Sequence, residues 1–135
     1  MRFIKMKPSE PVVDVINESG YFSEICLKDI AGCEVYAMVD EEKSGWPLAA
    51  VVVVVRKGAR AFVDFLVVKE EYRGNSLGRK MMMGVKDKLK RQGVRHVNAV
   101  ISGENGAAMK LAPAFGGVVG FPYMTLTVSL EDDHG

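Results

Sequence analysis

The nine residues Tyr72 to Lys80, YRGNSLGRK, lie between an apolar run, FVDFLVV, and a basic segment with helical spacing, MMMGVKDKLKRQ. A turn at that position opens a helix, whose first N–H groups have no intrahelical acceptor and carry the positive end of the helix dipole. Phosphate is well received there. Gly74 and Gly78 lower the steric barrier to an approaching anion, and Arg73 and Arg79 add positive charge. The chemistry these residues offer is the binding of a phosphate or pyrophosphate. A Walker A loop is excluded, because GNSLGRKM has one residue too few between its glycines and no hydroxyl after the lysine, and no GxGxxG fingerprint is present. On these residues alone, a helix cap with a solvated basic face remains the alternative.

The elements that must hold this turn follow from periodicity. Residues 1–7 alternate like a short strand, and Pro11 to Asp29 has helix-compatible spacing at Val12, Val15, Ile16 and Ile25, broken by Gly20. Three strands follow, CEVYAMVD, PLAAVVVVVRK and ARAFVDFLVVK, joined by turns short enough for antiparallel hairpins. The consecutive valines predict a strand buried on both faces. Leu77, Met81, Val85 and Leu89 recur at helical spacing, with Gly93 as a stop. VRHVNAVIS reads as a strand, Asn105 to Phe115 as a short helix and YMTLTVSL as a last strand. The expected fold is α+β, a mostly antiparallel mixed sheet flanked by helices, with one strand-turn-helix-strand unit in its middle.

Composition bounds the function. The chain has 135 residues, 48% of them hydrophobic and 26% charged, which suits one domain with a single core. Eighteen basic residues against 17 acidic ones give a net charge of +1, so nothing draws the protein to nucleic acid or an anionic membrane. The longest apolar run, Pro47 to Val55, is far short of the roughly 20 residues of a membrane helix. MRFIKMKPSEP lacks the unbroken apolar stretch of a signal peptide, so a cytoplasmic protein is expected. Cys26 and Cys33 match neither a zinc set nor a redox pair and are expected as small buried residues; His96 and His134 have no partner at motif spacing, and no metal is expected.

The segment FLVVKEEYRGNSLGRKMM resembles the acyl-coenzyme A signature of the GNAT superfamily of N-acetyltransferases, in which a strand leads through an acidic turn to [QR]-x-x-G-x-[GA] and a helix. ENGAAMKL is similar to that family's N-x-x-A-x-x-L segment, which brings Asn105 into the cofactor set. The resemblance implies a GNAT-like fold and acetyl-CoA as co-substrate. It places Arg73, Gly74, Asn75, Ser76, Leu77, Gly78 and Arg79 around the pyrophosphate, mainly through backbone N–H groups, and Arg79 or Lys80 near the adenosine 3′-phosphate. It also puts Val67 and Val68 at a strand bulge whose backbone pairs with the pantetheine arm. Ser76 stands where the family usually has glycine, so either its Cβ crowds the pyrophosphate, if the backbone there needs a positive φ, or its hydroxyl contributes a hydrogen bond.

For chemistry, the resemblance implies acetyl transfer to a primary amine of a small molecule or protein, with a homodimer open and neither nucleic acid nor membrane as partner. Asp64, just before the cofactor step, stands where the family can use an acidic residue as base, directly or through water. A carboxyl of ordinary pKa, about 3.9, needs burial or a water relay for that work. The family's general-acid tyrosine falls on Ala112, a departure that leaves Tyr123, Tyr72 or water to protonate the thiolate. It also leaves open a degenerate member kept as a binding or assembly module. Asp40, Glu41 and Glu42, beside Trp46 at a hairpin tip, are candidates to attract a cationic amine, and Tyr72 is expected to pack at the entrance to the turn.

Overall fold

Val51, Val52, Val53 and Val54 are all fully buried, and their side chains alternate between two separate cores. Apolar side chains on both faces of a strand require cover on both sides, and the rest of the chain supplies it. The computed structural model describes residues 1–102, 118–119 and 123–129, with side chains over residues 1–98. In chain order the elements are β1 (Arg2–Met6), α1 (Glu10–Glu18), α2 (Leu27–Ile30), β2 (Glu34–Val39), β3 (Leu48–Lys57), β4 (Arg60–Val68), α3 (Leu77–Arg91), β5 (His96–Ser102), β6 (Val118–Val119) and β7 (Tyr123–Ser129).

The strands form one mixed sheet in the order β1-β2-β3-β4-β5-β7-β6. Its pairings are antiparallel except for β4 with β5, which α3 connects as a parallel crossover. The expected α+β class and central unit are both present. The two-residue β6 was not foreseen, because so short a strand has no periodicity to read.

On one face α3 buries Met81, Val85 and Leu89 against Tyr36, Val52, Val54 and Val63. On the other, α1 lays Val12, Val13, Val15 and Ile16 over Val35, Val51, Val53 and Val67, with Ile30 of α2 beside them. Each such side chain contributes about 1.5–3 kcal/mol by leaving water. Two of the three methionines of α3, Met81 and Met82, are core and Met83 is exposed, as its helical position requires.

The predicted break at Gly20 is real but comes with an earlier stop. Serine 19 folds its Oγ back to the Ile16 carbonyl at 2.6 Å, and Gly20 turns left-handed at φ 73°, so α1 ends at Glu18. The cysteines depart from expectation. Cys33 is half-buried, whereas Cys26 is exposed at the start of α2, where its Sγ donates to Asp29 Oδ2 at 3.3 Å. Among the described residues, no helix is long and apolar enough to cross a membrane.

Candidate functional site

The segment from β4 to α3 is built as a suspended loop. Lys69 N–H bonds the Ala49 carbonyl at 2.9 Å, which keeps the start of the segment on β3. Glu70 to Tyr72 make one 3₁₀ turn, with Tyr72 N–H to Lys69 O at 2.9 Å and Arg73 N–H to Glu70 O at 3.2 Å. At the far end Leu77 and Gly78 are buried and anchor the first turn of α3. Between these anchors Gly74, Asn75 and Ser76 are exposed.

Two left-handed residues bend that exposed stretch. Gly74 has φ 86°, and a Cβ added there meets nothing within 4 Å, so conformation rather than space explains the glycine. Ser76, the residue before α3, has φ 57° and ψ 22°. The positive φ expected to matter at this serine is therefore present. Its side chain makes no cap hydrogen bond, so the leading N–H groups of α3 are not satisfied by the residue best placed to do so. Arg79 and Lys80 are exposed on the same turn of helix.

Side chains brace the loop from two directions. Tyr72 donates its hydroxyl to Asp40 Oδ2 at 2.8 Å, across 32 residues of sequence. Asp40 is 7% exposed, the buried charged residue among those described, and its Oδ1 also accepts the Glu42 N–H at 3.2 Å. The Tyr72 hydrogen bond is the main cause that holds its carboxyl below the usual value, against the opposing effect of burial. Lys43 reaches over the Tyr72 ring at 5.0 Å. Tyr72 packs against the α3 core at the entrance to the turn, as expected, and is in addition a tether through its hydroxyl. One expectation is corrected: Asp40 is engaged within the protein, leaving only Glu41 and Glu42 of the hairpin acids exposed.

Arg73 braces the other side. Its Nε donates to the Val68 carbonyl at 3.0 Å, and its guanidinium lies 5.4 Å from the Tyr21 ring centre. Because Lys69 N–H points to β3, strand alternation turns the Val68 N–H and C=O toward β5. Part of the charge expected for phosphate is thus committed to the end of β4.

The bulge on β4 is at Asp64, not at Val67 and Val68, which keep regular register with Val51 and Ala50. Val53 opposes Phe65 while Val54 opposes Val63, so Asp64 is the extra residue. The reason is the packing phase: Val63 and Leu66 share the α3 core although they are three apart, whereas Phe65 and Val67 serve the α1 core. Phe65, Leu66, Val67 and Val68 are all apolar, so the sequence carries no alternation that would have located the bulge. The ladder between β4 and β5 runs from Arg60–His96 to Val63–Ala99, so Asp64 is the first residue of β4 beyond it.

Asp64 is exposed, yet surrounding protein raises its pKa by desolvation, and no ion pair of the described residues includes it. Its charge also adds to the burial that raises the Cys33 thiol. Beside the end of β4, a cavity of about 240 Å³ is lined by Val67, Val68 and Arg73 and, from α1 and the residue that follows it, by Val15, Glu18 and Ser19. Tyr123 opens β7 opposite Ser102, at the same end of the sheet as Val68 and across β5; its side chain lies outside the described residues, as do Asn105 and Ala112. No group of three or more metal-ligating side chains occurs among the described residues.

The GNAT acetyltransferase family model matches residues 5–116. The chain belongs to that family. Solved structures with the same GNAT fold include the ribosomal-protein-S18-alanine N-acetyltransferase from Escherichia coli, at TM-score 0.74 and 15% identity over 99% of both chains. Tetrahymena GCN5 matches at TM-score 0.74 and 12% identity, covering 99% of this chain and 100% of that one. The PaiA N-acetyltransferase from Thermoplasma acidophilum, solved in complex with coenzyme A, matches at TM-score 0.70 and 12% identity over 96% and 99%. A phycobilisome rod-core linker polypeptide from Cyanidium caldarium is 37% identical over 60 residues, or 44% of this chain; the match spans about a quarter of that protein's length, 23%. The family is one of acetyltransferases, and the β4–α3 loop of this chain ends at a helix N-terminus with no side-chain cap, behind the left-handed pair Gly74 and Ser76.

Proposed function

We propose that this protein is an acetyl-CoA-dependent N-acetyltransferase that passes the acetyl group directly to a primary amine of a small molecule or protein. The observation that carries the reading is the uncapped N-terminus of α3 behind the left-handed pair Gly74 and Ser76. Unsatisfied N–H donors there suit a pyrophosphate, and the open space around Gly74 admits it. Val68 N–H, on the side of β4 away from β3, is the main-chain group for the pantetheine arm, since the Val68 carbonyl already accepts Arg73 Nε and Val67 is paired with Val51; Asn105 joins the cofactor set by the family resemblance. Arg79 and Lys80 are the exposed cations for the remaining phosphate.

In the transfer, the amine nitrogen forms a bond to the acetyl carbon, the carbon–sulfur bond breaks, and the products are an amide and the free thiol. Asp64 takes the proton that the amine must lose; desolvation moves its pKa upward, in the direction a base needs. Tyr72 is not the acid in this reading, because its hydroxyl is already given to Asp40. Tyr123 or water protonates the thiolate. Calorimetry with acetyl-CoA tests the reading, and at 100 times the Kd the ligand should add about 2.7 kcal/mol of stability. No heat and no shift in Tm at saturation overturns it. An amine screen for thiol release then identifies the acceptor.

A second reading is a binding or assembly module. It is favoured by Ala112 at the family's tyrosine position and by the partial likeness to a linker polypeptide. Acetyl-CoA binding in a complex that seals the thioester carbonyl from any entering amine would decide for it.

A further inference from the structure

We propose that Tyr72 and Asp40 form a positioning pair that presets the phosphate-binding loop from the β2–β3 hairpin, an inference that rests on the acetyl-CoA reading above. Asp40 is the first residue after β2, in the turn that Asp40 N–H closes on the Pro47 carbonyl at 2.9 Å. A hairpin turn does not require a buried carboxylate, since the Glu42 N–H bond alone could be made by an exposed one. What the burial adds is a charged acceptor for Tyr72 at 2.8 Å, a bond stronger than one between neutral groups.

Tyr72 is the last residue of the 3₁₀ turn and directly precedes the exposed loop. With Tyr72 held on one side and Leu77 and Gly78 buried on the other, the intervening residues, bent at Gly74 and Ser76, have fixed ends. Lys43 covers the pair from the hairpin, 4.0 Å from Asp40 Oδ2 and 5.0 Å from the Tyr72 ring. A loop fixed in its bound form loses less freedom when a ligand arrives, so the pair acts on cofactor affinity without touching the reacting atoms.

The test is the Kd of coenzyme A measured by calorimetry on the full chain, well below the melting temperature of every variant. Tyr72→Phe keeps the ring and the Asp40 turn but removes the bond, and it should weaken binding about tenfold. Asp40→Ala should weaken it as much, and the double variant no further. Asp40→Asn retains an acceptor and should recover part of the loss. Once an acceptor is known, the KM for acetyl-CoA should rise in Tyr72→Phe with kcat within about twofold of wild type. A lowered Tm with unchanged Kd, or additive losses in the double variant, overturns the pair as a positioning device. If wild type itself fails to bind coenzyme A, the acetyl-CoA reading falls and takes this one with it; equal binding by wild type and Tyr72→Phe sinks this one alone.

Discussion

Phe3 of β1 lies against α3 at Gly84, where a Cβ would stand 3.0 Å from three carbons of the Phe3 ring. The same ring stacks on Tyr36 at 5.7 Å with 3° between planes, so it is held on its other face as well. A mid-helix glycine costs about 1 kcal/mol relative to alanine, and the close approach of Phe3 is what that cost permits. Gly84→Ala should therefore fail to raise the Tm. In a Phe3→Leu background the same change should raise it, because the ring no longer opposes the added methyl. A gain in Tm from Gly84→Ala alone would show that the contact exerts no constraint.

Ser76 holds a left-handed conformation without glycine's freedom and without a cap bond in return. Ser76→Gly should stabilise the protein by about 1 kcal/mol, or roughly 4 °C in Tm, and should not weaken coenzyme A binding. Thermal melts of the two proteins with and without ligand measure both effects.

Gly78 is buried at the start of α3, so a carboxylate there would disturb packing as well as ligand. Asn75 is exposed in the same loop and makes the cleaner probe. Asn75→Asp should raise the Kd for coenzyme A by about tenfold through repulsion of the pyrophosphate, with Tm unchanged. The effect should shrink as salt is added. Unchanged affinity would place the phosphates elsewhere.

Asp64 gives opposite signs for activity and stability. A raised carboxyl pKa means that the folded state disfavours the charge, so at neutral pH the carboxylate lowers stability and regains it only as pH falls through the folded pKa. Asp64→Asn should keep or raise the Tm at pH 7 while lowering kcat by about 10² to 10⁴. A variant with full turnover would remove Asp64 from the chemistry.

Asp40 has the reverse sign. Its folded pKa is depressed, chiefly by Tyr72, so the stability it contributes is complete above the ordinary carboxylate pKa of about 4 and is lost as pH falls through the lower folded value. The acid limb of a Tm–pH profile should be shallower in Asp40→Asn and in Tyr72→Phe than in wild type. Parallel acid limbs in all three proteins would contradict the depressed pKa.

The sequence by itself determined the order and type of most elements. Strand and helix periods of 2 and 3.6 are local patterns, and the valines from Val51, the Leu77–Leu89 spacing and the stop at Gly93 carry them without reference to the rest of the chain. The loop after β4 was legible for the same reason: its glycines, its arginines and the helix that follows are neighbours in sequence. Tertiary structure decided what depends on two distant segments meeting. Asp40 and Tyr72 are 32 residues apart, and either alone reads as a surface residue; only the hairpin packed against the loop makes them a part-buried, hydrogen-bonded pair. The extra residue at Asp64 was not legible, because Phe65 to Val68 are all apolar, and only the two cores on the faces of β4 show which of them point which way. Arg73 likewise reads as a phosphate ligand in sequence, and the fold turns its Nε to the Val68 carbonyl, because that group points away from β3 and toward β5.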